Sequence, residues 1–184
     1  MIALGILTTG FLGMLGLFSQ SLHLSKGTAD ELTATYLASE GVEVAKNVID
    51  HDVYATSTSS GWGTCQGNCG SDGGYFFDSQ ALESGFSGTD FAYLASSCDD
   101  ASPSRIQLYY DPGTNPTDPL AHLYGPDANP FTVPTLFSRC VELTHTKDAS
   151  GNILEVTVNS IVTWNEGTAQ DSINLEDHFY DWNP

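Results

Sequence analysis

Residues Thr28 to Asp52 read TADELTATYLASEGVEVAKNVIDHD, and this stretch decides the fold. Apolar or small residues recur at Leu32, Tyr36, Gly41, Val44, Ala45, Val48 and Ile49, with Leu37 and Val42 widening the stripe. The acids Asp30, Glu31, Glu40, Glu43 and Asp50 lie largely off it. A helical repeat with charge on the opposite side is an amphipathic helix that buries one face. Thr28, with Glu31 three residues on, has the pattern of a capping box, which either starts a helix or sits silent inside a longer one. No proline precedes Pro103, so nothing forces a break.

Upstream, Met1 to Phe18 reads MIALGILTTGFLGMLGLF. The first charge of either sign is Lys26 and the first acid is Asp30. A helix of about 18 to 20 apolar residues matches the hydrocarbon thickness of a bilayer. The block lacks the basic start and the small-x-small end of a cleaved signal peptide. A buried core helix and a plain membrane anchor are the other readings. If continuous with the amphipathic stretch, Met1 to about Asp52 forms one helix of roughly 75 Å. Such a helix, greasy all round and then amphipathic, is an assembly element. Gly5, Gly10, Gly13 and Gly16 leave room for helices to approach closely.

The 184 residues suffice for one ordinary domain. Twenty-three Asp and Glu against five Lys and Arg give a net charge of −18, yet only 15% of residues are charged. The surface is therefore polar through Ser, Thr, Asn and Gly rather than through mixed ion pairs. Nucleic-acid binding by the bulk surface is excluded, because phosphates need clustered bases. Lys26, Lys46, Arg105, Arg139 and Lys147 are scattered, with none between Lys46 and Arg105.

Downstream the chain reads as loop and strand. Residues 53–104 form a linker and cysteine-containing loop region, Gly/Ser/Thr-rich from Ala55 to Gly74. The aromatics between Tyr75 and Cys98 show no clean period and read as a long loop or short helix on the sheet. Four strands are expected within residues 105–184. Arg105 to Tyr110 puts Ile106, Leu108 and Tyr110 on one face, and Leu136 to Thr144 does so with Phe137, Arg139, Val141 and Leu143. Ile153 to Trp164 aligns Leu154, Val156, Val158, Val162 and Trp164, and Ser172 to Phe179 aligns Ile173, Leu175 and Phe179. His122 to Tyr124 suits a further short strand, and Asp148 to Asn152 a hairpin turn. The expected fold is α+β: a hydrophobic helix over residues 1–27, an amphipathic helix over 28–52, and a largely antiparallel four-stranded sheet covering its apolar face.

Cys65 and Cys69 are spaced C-x3-C rather than C-x2-C, and no paired His completes a zinc site. In an exported domain four cysteines read as two disulfides. Cys140 shares parity with Ser138 and Glu142 and so faces away from the helix. Four cysteines allow three pairings; with its partner expected from a loop crossing the outer face, the favoured one joins Cys98 to Cys140 and Cys65 to Cys69 across the turn-forming Gln66-Gly67-Asn68. No catalytic constellation is present: His23, His51, His122, His145 and His178 are dispersed, with no H-E-x-x-H, G-x-S-x-G or phosphate loop. Neither an enzyme nor a cofactor is expected. The best metal candidate is Asp111, Asn115 and Asp118, oxygen donors suited to calcium, but an acidic turn explains them better.

A hydrophobic helix running into an amphipathic one and then a small β domain resembles a type IV pilin. The resemblance is carried by IALGILTTGFLGMLGLFSQS (Ile2 to Ser21) and YLASEGVEVAKNVIDHD (Tyr36 to Asp52), the latter similar to pilin-like proteins of candidate-phylum bacteria. Arg139, the strand ending Val162-Thr163-Trp164, and Trp182 fit the same group. The family's glycine cleavage site and the aromatic-Thr-Leu-Ile-Glu stretch after it do not occur here. The processing site, the N-methylated residue and the early glutamate therefore have no counterpart in this numbering.

The resemblance implies a structural subunit of an extracellular filament on the bacterial cell surface. It would be held in the inner membrane before the pilus assembly machinery polymerises it into a helical homopolymer. Ile2, Leu4, Gly5, Ile6, Leu7, Gly10, Phe11, Leu12, Gly13, Met14, Leu15, Gly16, Leu17 and Phe18 would pack its core. Adhesion, twitching motility and DNA uptake are the roles such filaments serve. A minor pilin, a pseudopilin of type II secretion, and an anchored extracellular binding domain that never polymerises are the alternatives. In a filament the helix is expected to be interrupted between Leu7 and Gly16.

Overall fold

The computed structural model describes residues 2–56, 62–63, 71–77, 91–113, 122–125, 131–167 and 169–181. Helix α1 runs Ile2–Thr56. After it come β1 (Gly73–Phe77), β2 (Phe91–Ala95), a 3-10 turn (Cys98–Asp100), the one-turn α2 (Pro103–Ile106) and β3 (Gln107–Tyr110). The chain then continues through β4 (Tyr124–Gly125), β5 (Val133–Lys147), β6 (Ile153–Glu166) and β7 (Ala169–Tyr180). The fold is α+β, and all the strand pairings among the described residues are antiparallel.

The chain divides into two units, Met1–Thr33 and Ala34–Pro184. The first is helix alone. Thr9 Oγ1 donates to the Gly5 and Ile6 carbonyls, each at 3.0 Å, and Thr8 Oγ1 to the Gly5 carbonyl at 3.0 Å. Both hydroxyls are thus satisfied within the helix despite its glycines. Thr28 does not cap a helix: its hydroxyl donates backwards to the Leu24 carbonyl at 2.9 Å, the habit of a mid-helix threonine. The capping-box pattern is silent. The helix also passes Asp52 and ends four residues later, at Thr56.

In the second unit the rest of α1 packs on a seven-stranded sheet rather than the four strands expected. Of the additional strands, β4 overlaps the further short strand read at His122 to Tyr124, and β1 and β2 were not expected. The aromatic stretch after Tyr75 that reads as loop supplies β1 and β2, which pair Tyr75 with Tyr93 and Phe77 with Phe91. Strand β5 is the spine. From Phe137 to Lys147 it pairs with β6, from Phe137–Trp164 to Lys147–Ile153, while β1 and β3 share its other edge. The β5–β6 turn closes through Asp148, whose carboxylate accepts the backbone N–H of Ser150 and of Asn152 at 2.8 Å, with Gly151 at φ 90°. Only glycine takes that backbone conformation without steric cost.

The buried face of α1 is Ala34, Leu37, Ala38, Gly41, Val42, Val44, Ala45, Val48 and Ile49. Leu32 and Tyr36, expected on that stripe, are 55% and 69% exposed. Tyr36 lies one heptad before Glu43 and so shares its solvent side, and Leu32 stands one turn earlier on the same line. Two strand expectations shift as well. Pro103 suits the first turn of α2, so β3 begins at Gln107 and Ile106 is helical. Leu154 is 50% exposed because the register slips between Thr146 and Lys147, a bulge that turns Ile153 inward instead.

Candidate functional site

The large apolar residues of the first unit are exposed. Leu4, Ile6, Leu7, Phe11, Leu12, Met14, Leu15, Leu17 and Phe18 are all at least half exposed. A side chain built at Gly5, Gly10, Gly13 or Gly16 would meet only open space. The helix is long and apolar enough to cross a membrane, and none of that apolar window is buried. Burying one such side chain contributes about 1.5–3 kcal/mol. A row of them left in water is therefore a surface waiting for lipid or for other helices.

On the second unit, the helix-to-sheet contact carries a polar island. The apolar core falls into two clusters, one around Val44, Val48, Tyr75 and Val158, the other around Leu37, Leu108, Phe137 and Trp164. Arg139 sits between Phe137 and Val141 on β5, Ser160 between Val158 and Val162 on β6, and Gly41 between Ala38 and Val42 on α1. Each element thus places a polar or small residue where the two clusters would meet. The Arg139 side chain is only 2% exposed; its Nη1 donates to the Leu37 carbonyl at 3.1 Å and lies 3.2 Å from Glu40 Oε2. A Cβ on Gly41 would press on Ser160 Oγ and come within 3.2 Å of Arg139 Cδ. Among the described residues, Arg139 Nη2 and Ser160 Oγ are buried with no hydrogen-bond partner. This island tethers the guanidinium to the backbone and flank of α1. Sequence reading placed Arg139 correctly on the inner face but gave it no task. The available signal was the coincidence of one Arg, one Ser and one Gly on three otherwise apolar stripes.

The outer face of the sheet carries the disulfide. Cys140 on β5 is joined to Cys98 in the 3-10 turn, with Cα atoms 5.8 Å apart across 42 residues of chain. Gly74 on β1 lies beneath the bridge: a Cβ there would stand 3.0 Å from Cys140 Sγ. Cys65 and Cys69 lie outside the described residues. Asn115 and Asp118 do as well. Asp111, the remaining member of the calcium set, is 3% exposed and already engaged, its Oδ1 accepting the Gly113 N–H at 2.7 Å while its backbone pairs with His122 and Leu123. This carboxylate closes a turn. Among the described residues no cluster of three or more His, Cys, Asp or Glu is placed to hold a metal ion.

The histidines are not gathered into one site, but two make close contacts with carboxylates. His178 on β7 stands between Glu155 Oε1, 2.7 Å from Nδ1, and Glu176 Oε1, 3.2 Å from Nε2. The hydrogen bond to Glu155 raises the His178 ring above the usual histidine range, against the opposing effect of desolvation and with further help from Glu176. Hydrogen bonds from Tyr180 and then His178 hold Glu155 below the usual carboxylate range. His145 on β5 is buried against Asp72. The chain matches no protein-family model, no curated protein and no solved structure.

Proposed function

We propose that this chain is a structural subunit of an extracellular filament of the type IV pilus kind, assembled by packing its N-terminal helix against copies of itself. One observation carries the reading: an apolar helical block, Leu4 to Phe18, stands exposed, while later residues of α1 are seated on a sheet. The first part needs an apolar partner, and the second supplies a folded head. Copies of the same block satisfy that need, since Gly5, Gly10, Gly13 and Gly16 let helices approach and the peptide groups are hydrogen-bonded within the helix. Before assembly, the inner membrane would cover the same block.

Because that helix also suffices to cross a bilayer, a membrane-anchored head that never polymerises is the second reading. Electron microscopy of material sheared from cells, with mass spectrometry of the isolated filaments, separates the two. The filament reading expects this chain as the dominant filament protein. Recovery of the chain only with membranes, with no filament containing it, overturns that reading and leaves the anchor.

A further inference from the structure

We propose that the free edge of β7 is a docking site for an extended, basic peptide segment of a partner protein, which adds to the sheet as a further antiparallel strand. The other two sheet edges are short: β2 has five residues and β4 has two. Strand β7 has twelve, a ladder of about 40 Å. It pairs with β6 from Glu155–Tyr180 to Glu166–Ala169 without a slip in register, and β6 is its one strand partner among the described residues. Alternate N–H and C=O groups of β7 therefore point away from the sheet along that length. Natural sheets block such an edge with a bulge, a proline or a lysine. The segment AQDSINLEDHFY has none of the three, and nine of its twelve residues are exposed.

The chemistry along the edge selects the occupant. Ile173 and Phe179 pack on the two apolar clusters, so the odd-numbered residues of β7 lie on the side of α1 and the even-numbered ones on the outer side. The inner side thus carries Asp171 and Asp177 around Leu175, which is 37% exposed, and the outer side carries Glu176. No Lys or Arg lies on the strand. The nearest base on α1 does not neutralise it: Lys46 is held by Asp50 at 2.7 Å, and Glu43 and Asp177 both act on the same ammonium.

An antiparallel strand laid on this edge meets Asp177 and Glu176 first, then Leu175 and Ile173 on the inner side, and Asp171 last. Opposite charges directly across a ladder attract and like charges repel. The complement is therefore seven residues long and reads basic, basic, apolar, polar, apolar, polar, basic. A second copy of this chain does not offer it. Lys26, Lys46, Arg105, Arg139 and Lys147 stand singly, with no two inside any window of seven residues. Two β7 edges would bring only acids together, whereas the net charge of −18 draws a basic segment in. The site lies wholly within residues 34–184 and is independent of the filament reading.

The test uses the full-length chain in nonionic detergent micelles and fluorescence anisotropy of an end-blocked, labelled peptide, Lys-Lys-Val-Thr-Val-Thr-Lys. It should bind saturably, about ten-fold more tightly than Lys-Lys-Lys-Val-Val-Thr-Thr, which has the same charge and composition without the alternation. Backbone pairing is read by N-methylation. Of two peptides, one methylated at its second, fourth and sixth nitrogens and the other at its third and fifth, one should lose binding and the other keep it. Glu176→Gln combined with Asp177→Asn should weaken binding about ten-fold. The peptide comparisons leave the protein unchanged, so they decide even if that variant fails to fold. No binding, equal binding of the two isomers, or equal effects of the two methylation patterns overturns strand addition. Binding untouched by the double variant overturns the basic complement. An oxidative dimer of Leu175→Cys without peptide binding assigns the edge to a second copy and overturns the proposal.

Discussion

Gly41 shows how one residue can decide a helix-to-sheet contact. On helix propensity alone, Gly41→Ala should stabilise by about 1 kcal/mol. The new methyl would press on Ser160 Oγ and stand 3.2 Å from both Ser160 Cβ and Arg139 Cδ, where overpacking costs about 1–3 kcal/mol. The clash should win, and urea unfolding of Gly41→Ala should show a net loss of about 1 kcal/mol. Ser160→Ala removes a buried hydroxyl with no partner, so it should be neutral or slightly stabilising, and the double variant should recover most of the loss. A second residue-scale outcome concerns pH. The ring of His178 is raised by Glu155 and Glu176, so its contribution is fully present below the ordinary histidine range and is lost as pH rises through the raised value. Proton NMR of His178 should report a midpoint above 6.5, and Glu155→Gln should bring it down. A midpoint unchanged by that substitution would show that the Glu155 contact is absent in solution.

At the scale of elements, the disulfide joins the outer face of β5 to the turn after β2, closing 42 residues of chain. Loop-closure entropy assigns that constraint about 4 kcal/mol, so Cys98→Ser with Cys140→Ser should lower unfolding stability by that order. Peptide mapping without reductant should recover Cys98 linked to Cys140; a link from Cys140 to Cys65 or Cys69 would contradict the geometry. The parity argument that turned Cys140 outward was legible because the apolar residues in the middle of β5 and β6 recur every second position: Phe137, Val141 and Leu143 are buried, as are Val156, Val158 and Val162. The hairpin at Asp148 was equally legible, since Asp, Ser, Gly and Asn have local turn chemistry. Strands β1 and β2 were not. Each is five residues long, and GGYFF and FAYLA have no period of two, because their place depends on pairing with β5 and with each other. The rotation of the helix stripe away from Leu32 and Tyr36 was also hidden. Small Ala34, Ala38 and Ala45 carry the contact there, and a pattern weighted by side-chain size favours the larger residues that face out. His145 and Asp72 lie 73 residues apart, so only the folded register brings them together.

For the whole molecule, the two units make opposite demands. Residues 3–33 carry the uncovered apolar block, whereas residues 34–184 hold both apolar clusters, the disulfide and the sheet. Deleting residues 1–33 removes only Lys26, Asp30 and Glu31 among the charged residues, so the remaining head keeps nearly all of the −18 charge. That head should run as a soluble monomer in size-exclusion chromatography, since its share of α1 is seated on its own sheet and its like charges repel. Large aggregates from this truncation would show that the head, not the helix, drives association. The same charge sets a condition on assembly of the full chain. Each added copy brings another −18 beside its neighbours, and Arg139 and Lys46 are already occupied by Glu40 and Asp50. Helix packing is apolar and insensitive to salt, while repulsion between heads weakens as the screening length falls from about 30 Å at 0.01 M to about 3 Å at 1 M. Self-association of the full chain in mild detergent, followed by light scattering, should therefore increase with salt across that range, and the truncated head should remain monomeric throughout. Association that falls with salt would mean that attraction between charged heads, rather than burial of the N-terminal helix, holds the copies together.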